Sequence, residues 1–214
     1  MYKKIKNGLN SINERTIRVL AVISYIIIIS IHFDIAKKYS FLSSFVLGIA
    51  IIFTSWKYFS TNKKKVDKEE IKRILIELRN FIPILILNFF IKNFCIVGLP
   101  LNEKRIINTF LRAPVYLFVE AVILSPILEE MIFRFLPSIF LKNKIIYVVL
   151  TSIIFAGIHV IKDPNPVYYI LFYILISFYL GYRYYKTKDI LVTISLHSFN
   201  NLICIIEYIV RYYM

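Results

Sequence analysis

Long apolar runs alternate along the chain with short polar segments rich in lysine and arginine. The runs are close to the ~20 residues that an α-helix needs to cross a bilayer. They are continuous rather than alternating apolar and polar, so they predict helices and not β-barrel strands. The sequence therefore predicts an all-α, polytopic transmembrane helical bundle with seven spans, eight being the alternative count: residues 17–35, 41–59, 81–99, 114–141, 145–161, 167–184 and 190–212.

Two polar segments interrupt this series. Residues 60–80 are basic and carry Ile71, Ile74, Leu75 and Leu78 at helical spacing, which predicts an amphipathic helix on the cytoplasmic membrane surface. Residues 100–112 are interpreted as a polar loop. No internal repeat is visible. We expect one integral domain in two parts: the N-terminal membrane helices with the basic loop in residues 1–113, and a C-terminal core in residues 114–214.

Composition narrows the class of protein. Hydrophobic residues make up 58% of the chain, whereas a soluble domain contains about 45–50%. The net charge is +14, but the basic residues flank apolar spans, so we expect membrane lipid as a partner and no nucleic acid. With a cytoplasmic N-terminus, nineteen Lys and Arg fall on the inner side and eight on the outer side. The abundance of Ile, Lys, Tyr and Asn is typical of bacteria with low-GC genomes, so we expect the protein in a bacterial cell membrane.

The fourth apolar run contains two adjacent carboxylates and an arginine. A charge at membrane depth costs roughly 2.5 to more than 10 kcal/mol, so such groups are usually paired or functional. Glu130 and Arg134 are four residues apart and can pair on one helix face. Glu129 lies about 100° away around the helix and faces elsewhere. Pro126 predicts a helix kink just before them, and a kink beside charged groups in a membrane indicates a cavity rather than tight packing.

Two histidines and an asparagine complete the candidate cluster. His159 ends the fifth predicted span, while His197 and Asn201 share one face of the seventh. If the fourth and fifth helices turn near residue 142, Glu129 and His159 both lie roughly 20–24 Å from that turn. The seventh helix starts from the same side, so all four side chains can converge in one layer. A purely structural role for these groups remains the alternative.

The three motifs, Glu129-Glu130-x-x-x-Arg134, Phe155-x-x-x-His159 and His197-x-x-x-Asn201, resemble those of the CPBP family. These are the CAAX-protease and bacteriocin-processing (Abi) proteins, relatives of the type II CAAX prenyl endopeptidase. The resemblance covers residues 114–210 and implies an intramembrane endopeptidase with its catalytic core in residues 114–214. It assigns the candidate catalytic residues as Glu129, Glu130, Arg134, His159, His197 and Asn201.

By this resemblance Glu129 activates a water with help from His159, while His197 and Asn201 stabilise the oxyanion. Glu130 and Arg134 would hold the site together. No cofactor is favoured, although Glu129, His159 and His197 form a possible zinc set. The expected substrate is a membrane-associated peptide or protein. The alternatives are a bacteriocin self-immunity protein, acting with or without proteolysis, and a transporter or scaffold whose buried charges form a translocation path.

Overall fold

A computed structural model describes residues 67–213. The first two predicted spans and the start of the basic segment therefore lie outside the described residues. All regular structure in residues 67–213 is helical, without any strand, which confirms the all-α class for this part of the chain. The main helices are α1 (Lys68–Phe90), α2 (Leu101–Arg112), α3 (residues 114–140), α4 (Lys144–Val160), α5 (Pro166–Tyr169), α6 (Leu171–Thr187) and α7 (Ile190–Tyr213).

Helix α1 joins two elements that the sequence had separated. Asp67 caps it by accepting from the Glu70 amide at 2.9 Å. From there it continues to Phe90 and through a π-helical turn, Ile91–Cys95, without a break near residue 80. The prediction of a surface helix followed by a separate span was wrong in its boundary. Pro83 does not end the helix, so the polar first turns and the apolar remainder form one rod.

Helix α2 replaces the loop predicted for residues 100–112. Its first free amide, on Leu101, donates to Asp163 Oδ1 at 2.7 Å, which ties α2 to the connection after α4. Ile107 and Glu103 are buried on its inner face. The loop prediction was wrong because the segment was judged by its polarity, whereas its apolar positions recur at helical spacing.

Helix α3 is one continuous rod that contains two π-helical turns. The first, Val119–Leu124, comes just before Pro126, where a prolyl ring removes an amide and crowds the preceding turn. The sequence predicted a kink at Pro126, and the structure has a π turn directly before it. The consecutive pieces are Pro114–Phe118, Val119–Leu124 (π), Ser125–Glu130, Met131–Phe135 (π) and Leu136–Phe140.

Helices α4 and α6 form the closest pair in the bundle, because small residues line their contact. A Cβ added at Gly181 of α6 would lie 3.4 Å from Ser152 Oγ and 3.5 Å from Thr151 Oγ1. Both hydroxyl residues are on α4 and are buried. Such small side chains let two helix backbones approach closely. α7 packs beside α6 and against α1 and α3, which brings the late helices around the middle of α3.

Ion pairs fix one end of the bundle. Arg73 of α1 contacts both Glu70 and Asp189, and Asp189 lies at the start of α7. Arg183 of α6 pairs with Glu77 of α1. These contacts join α1 to the α6–α7 hairpin. The first turns of α1 are therefore held by two of the helices that contribute residues to the candidate site.

The outside of the bundle is apolar, as expected for helices in lipid. Large side chains such as Ile86, Phe90 and Ile153 are exposed on α1 and α4. Two helices in residues 67–213 are long and apolar enough to cross a membrane, Lys68–Cys95 and Ile190–Arg211, and a shorter apolar helix covers Lys144–Val160. The total of seven spans, and the direction in which they run, stay predictions.

Candidate active site

A buried ion pair forms the base of the site. Glu130 and Arg134 have no exposed side-chain surface, and Arg134 Nε lies 3.5 Å from Glu130 Oε2. Arg134 Nη2 also donates to Ser177 Oγ of α6 at 3.0 Å, and its guanidinium lies 4.4 Å from the centre of the Phe155 ring. The hydroxyl of Tyr147 donates to the Arg134 carbonyl at 2.9 Å. Contacts from α4 and α6 therefore fix the arginine on α3.

His197 connects this pair to the rest of the site. Its Nδ1 lies 2.9 Å from Glu130 Oε1. Glu130 faces Arg134 and is an ionised carboxylate, which can only accept hydrogen bonds, so Nδ1 of His197 carries the hydrogen. Its other nitrogen, Nε2, lies 3.7 Å from Glu129 Oε2. The division of roles between the two glutamates is thus less complete than the sequence suggested, because His197 contacts both.

His159 approaches Glu129 from the opposite helix. Its Nδ1 lies 2.8 Å from the Phe155 carbonyl oxygen, which can only accept, so Nδ1 carries the hydrogen here too. Nε2 of His159 is 3.7 Å from the same oxygen of Glu129 that faces His197. When both rings are neutral, their Nε2 lone pairs therefore face one oxygen of Glu129. Three acceptors directed at one point favour a proton donor, such as a water molecule, between them.

The rings of both histidines pack against the Phe155 ring. Its centre lies 4.5 Å from that of the His159 ring and 5.6 Å from that of His197. Phe133 meets it edge-on from α3 at 5.4 Å. The ring is 4% exposed and belongs to a buried apolar cluster that includes Phe133 and Tyr147. It therefore limits the ring orientations that either histidine can adopt.

Glu129 is the carboxylate that opens into a cavity. Its side chain is 25% exposed, against 0% for Glu130. The cavity has a volume of about 100 Å³, and Glu129, His159 and His197 lie along it. A buried water needs roughly 10–15 Å³ of such volume, so several waters fit there. The cavity predicted from Pro126 and the adjacent charges is present.

Asn201 lies on the same cavity but already has a partner. Its Nδ2 donates to the Ala121 carbonyl at 2.8 Å. This carbonyl lacks its usual helical donors: the Ser125 amide bonds to the Glu120 carbonyl instead, and Pro126 has no amide hydrogen. Asn201 therefore supplies the hydrogen bond that the proline removes. One of its two amide hydrogens is used in this way.

Sequence reasoning missed the far wall of the cavity. Lys92 at the end of α1 and Glu103 of α2 lie there, together with Tyr173 of α6. Glu103 is buried, accepts from the Tyr173 hydroxyl at 2.9 Å and also contacts the Tyr208 hydroxyl. A charged residue inside an apolar run was the available signal for Lys92, and the helical spacing of α2 was the signal for Glu103.

The zinc set predicted from the sequence was Glu129, His159 and His197. Its donor types suit zinc, since each histidine has its Nδ1 hydrogen bonded and its Nε2 directed inward. Among residues 67–213, however, no group of three or more His, Cys, Asp or Glu side chains has the arrangement needed to hold a metal ion. Zinc at these three residues stays a prediction.

The fold and the site together define a helical membrane protein with an acid–histidine cluster on an internal cavity. Residues 111–203 match the family described as Type II CAAX prenyl endopeptidase Rce1-like. This match confirms the resemblance predicted from the three motifs, and it contains all six candidate residues. It supports a membrane-bound, CAAX-type protease in general terms. No curated protein and no solved structure matches the chain.

Proposed function

We propose that this protein is an intramembrane endopeptidase that hydrolyses a peptide bond in a membrane-associated protein or peptide, using a water activated by Glu129. One observation carries the proposal. The only cavity-facing carboxylate of the adjacent pair, Glu129, has two histidine Nε2 atoms at 3.7 Å from one of its oxygens. A carboxylate in such a position is a suitable general base.

In the proposed reaction a cavity water lies between Glu129 and the carbonyl carbon of the scissile bond. Glu129 takes a proton from this water while the water oxygen attacks the carbonyl carbon, giving a tetrahedral intermediate. The C–N bond then breaks, and the proton held by Glu129 passes to the leaving amine. His159 accepts a hydrogen bond from the water through Nε2 and orients it, because its Nδ1 is held by the Phe155 carbonyl.

The negative oxygen of the intermediate requires hydrogen-bond donors. Asn201 has one amide hydrogen left after its bond to Ala121. His197 is the second donor once it carries a proton on Nε2, a form that Glu130 stabilises by accepting from Nδ1. Arg134 does not reach the cavity, and its role is to hold Glu130 in place for His197.

The decisive experiment uses the purified full-length protein in lipid bilayers with a library of internally quenched peptides. We expect Glu129→Gln to lower kcat about 10²- to 10⁴-fold, the range for loss of a general base, while the free energy of unfolding changes by less than about 1 kcal/mol. Glu69→Gln is the matched control, because Glu69 is exposed at the start of α1. Undiminished cleavage by Glu129→Gln would contradict the proposal.

A chelator arm in the same assay tests zinc. Activity that persists in the chelator supports the metal-free reaction; activity that is lost and returns with zinc assigns the metal to Glu129, His159 and His197. A cellular arm tests the immunity alternative. Protection against a bacteriocin that survives Glu129→Gln would show a role that needs no proteolysis.

A further inference from the structure

A lysine that forms no ion pair within residues 67–213 lies on the wall of the catalytic cavity. Lys92 is in the π-helical turn Ile91–Cys95 at the end of α1, and it lines the same cavity as Glu129 and His159. It falls outside the matched region of residues 111–203. The proposed reaction does not use it, and an ammonium group in an apolar bundle is costly unless it has a function or a partner.

The contacts of Lys92 leave much of its hydrogen-bonding capacity unused. Its Nζ lies 3.3 Å from Cys204 Sγ, a weak acceptor, and 4.3 Å from the centre of the Phe172 ring. An ammonium group has three donors. Within residues 67–213 no carboxylate forms an ion pair with it.

The nearest acids are already engaged by other groups. Glu103 contacts the hydroxyls of Tyr173 and Tyr208, one with each of its oxygens. Glu207 pairs with Arg211 at 3.0 Å. Glu103 and Glu207 attract the Lys92 ammonium at longer range, but neither forms an ion pair or a hydrogen bond with it within residues 67–213, so its remaining donors can serve a ligand in the cavity.

Lys92 is connected to the reacting groups through two aromatic rings in tilted contact. The Phe172 ring, against which its ammonium lies, has its centre 5.3 Å from that of Tyr173. The Tyr173 ring in turn lies 4.9 Å from the ring of His159. A peptide whose scissile bond is next to His159 can therefore extend along this wall to the lysine.

We propose that Lys92 binds a carboxylate of the substrate and so determines specificity at one end of the cavity. This inference rests on the proposed function, since it takes the ligand to be a peptide. The carboxylate can come from the chain terminus or from an acidic side chain, and both present the same group to an ammonium.

The test measures binding rather than cleavage, so its failure is distinct from failure of the protease proposal. The probes are three fluorescent hexapeptides of alanine and leucine: one with a free carboxyl terminus, one with a carboxamide terminus, and one with a carboxamide terminus and a single internal aspartate. Fluorescence polarisation is recorded with full-length protein in detergent micelles, in a Glu129→Gln background so that no peptide is consumed.

We expect the free-acid peptide to bind at least about tenfold more tightly than the carboxamide, as for a charge-assisted hydrogen bond. Lys92→Met, which keeps the stem and removes the charge, should abolish that preference, and Lys92→Arg should restore part of it. Tight, Lys92-dependent binding of the aspartate peptide instead would assign the carboxylate to a side chain.

Two controls keep the result specific. Lys104→Met removes an exposed lysine on α2, and it should leave the preference unchanged. Arg105 also lines the cavity, so Arg105→Met is measured in parallel. The proposal is overturned if Lys92→Met retains the preference, if Arg105→Met alone removes it, or if the parent protein shows no preference for either carboxylate.

Discussion

Glu129 and Glu130 are neighbours in the chain, yet they lie in two different regions of the molecule. The closed half of the site contains Glu130, Arg134, Ser177 and Tyr147, and its ion pair is fully buried. The open half contains Glu129 and His159 on the cavity. His197 touches both. A buried group held by several helices is suited to positioning, whereas a partly exposed one is available to water and substrate.

The largest difference should appear when each glutamate is replaced by glutamine. Glu130→Gln leaves Arg134 buried and uncompensated, so the free energy of unfolding should fall by about 3–5 kcal/mol. Glu129→Gln should change it by less than about 1 kcal/mol, because the cavity provides solvent. Unfolding in mixed detergent micelles measures both. Equal destabilisation by the two variants would contradict the division into closed and open halves.

A smaller effect is expected where Asn201 meets the Ala121 carbonyl. Asn201→Ala should cost about 1–3 kcal/mol, since it leaves that carbonyl without a donor. Pro126→Ala restores a backbone amide, so Asn201→Ala should cost less in that background, with a coupling of roughly 0.5–3 kcal/mol in a double-mutant cycle.

The matched control for this cycle is Asn200→Ala. Within residues 67–213 the Asn200 side chain donates to the Asn201 side chain and not to the Ala121 carbonyl, so its loss should be smaller and should depend little on residue 126. Strict additivity of Asn201→Ala and Pro126→Ala would show that the amide has no role in compensating the proline.

The smallest effect is expected at Tyr147, whose hydroxyl donates to the Arg134 carbonyl in the closed half. Tyr147→Phe removes the hydrogen bond to the Arg134 carbonyl and should lower stability by about 1 kcal/mol, with little change in substrate KM. Tyr182→Phe is the control, because the contact of the Tyr182 ring with Lys144, at 4.9 Å, does not need the hydroxyl. A large rise in KM for Tyr147→Phe would place Tyr147 in the open half instead.

More contacts of the candidate site than boundaries of the surrounding helices could be predicted from the sequence. Spacing alone indicated the Glu130–Arg134 contact, and counting residues from the turn near Lys142 brought Glu129 and His159 to one depth. Contacts that depend on a third helix were not accessible in this way. Ser177 and Tyr147 have ordinary sequence surroundings, and nothing local indicates that they support an arginine on α3.

The errors in the fold have a common physical cause. Polarity was used to end helices, but α1 contains its polar first turns and its apolar remainder in one rod. The polar segment after it forms α2. The Asp163 carboxylate accepts from the amide of Leu101, the first residue of this helix, which has no partner within the helix. Tertiary contacts of this kind override a local preference, and they become visible only when the helices are assembled.

The π turn of α3 has a consequence for the phase of the helix. Glu120 precedes Glu129 by nine residues, which in an uninterrupted α-helix is about 180° of azimuth, on opposite faces. One additional residue in a turn shifts the phase by about 100°. Both glutamates accordingly line one cavity. Val119–Leu124 thus adds a stretch of wall, including Glu120 and Ala121, that an unbroken helix would direct away from the substrate.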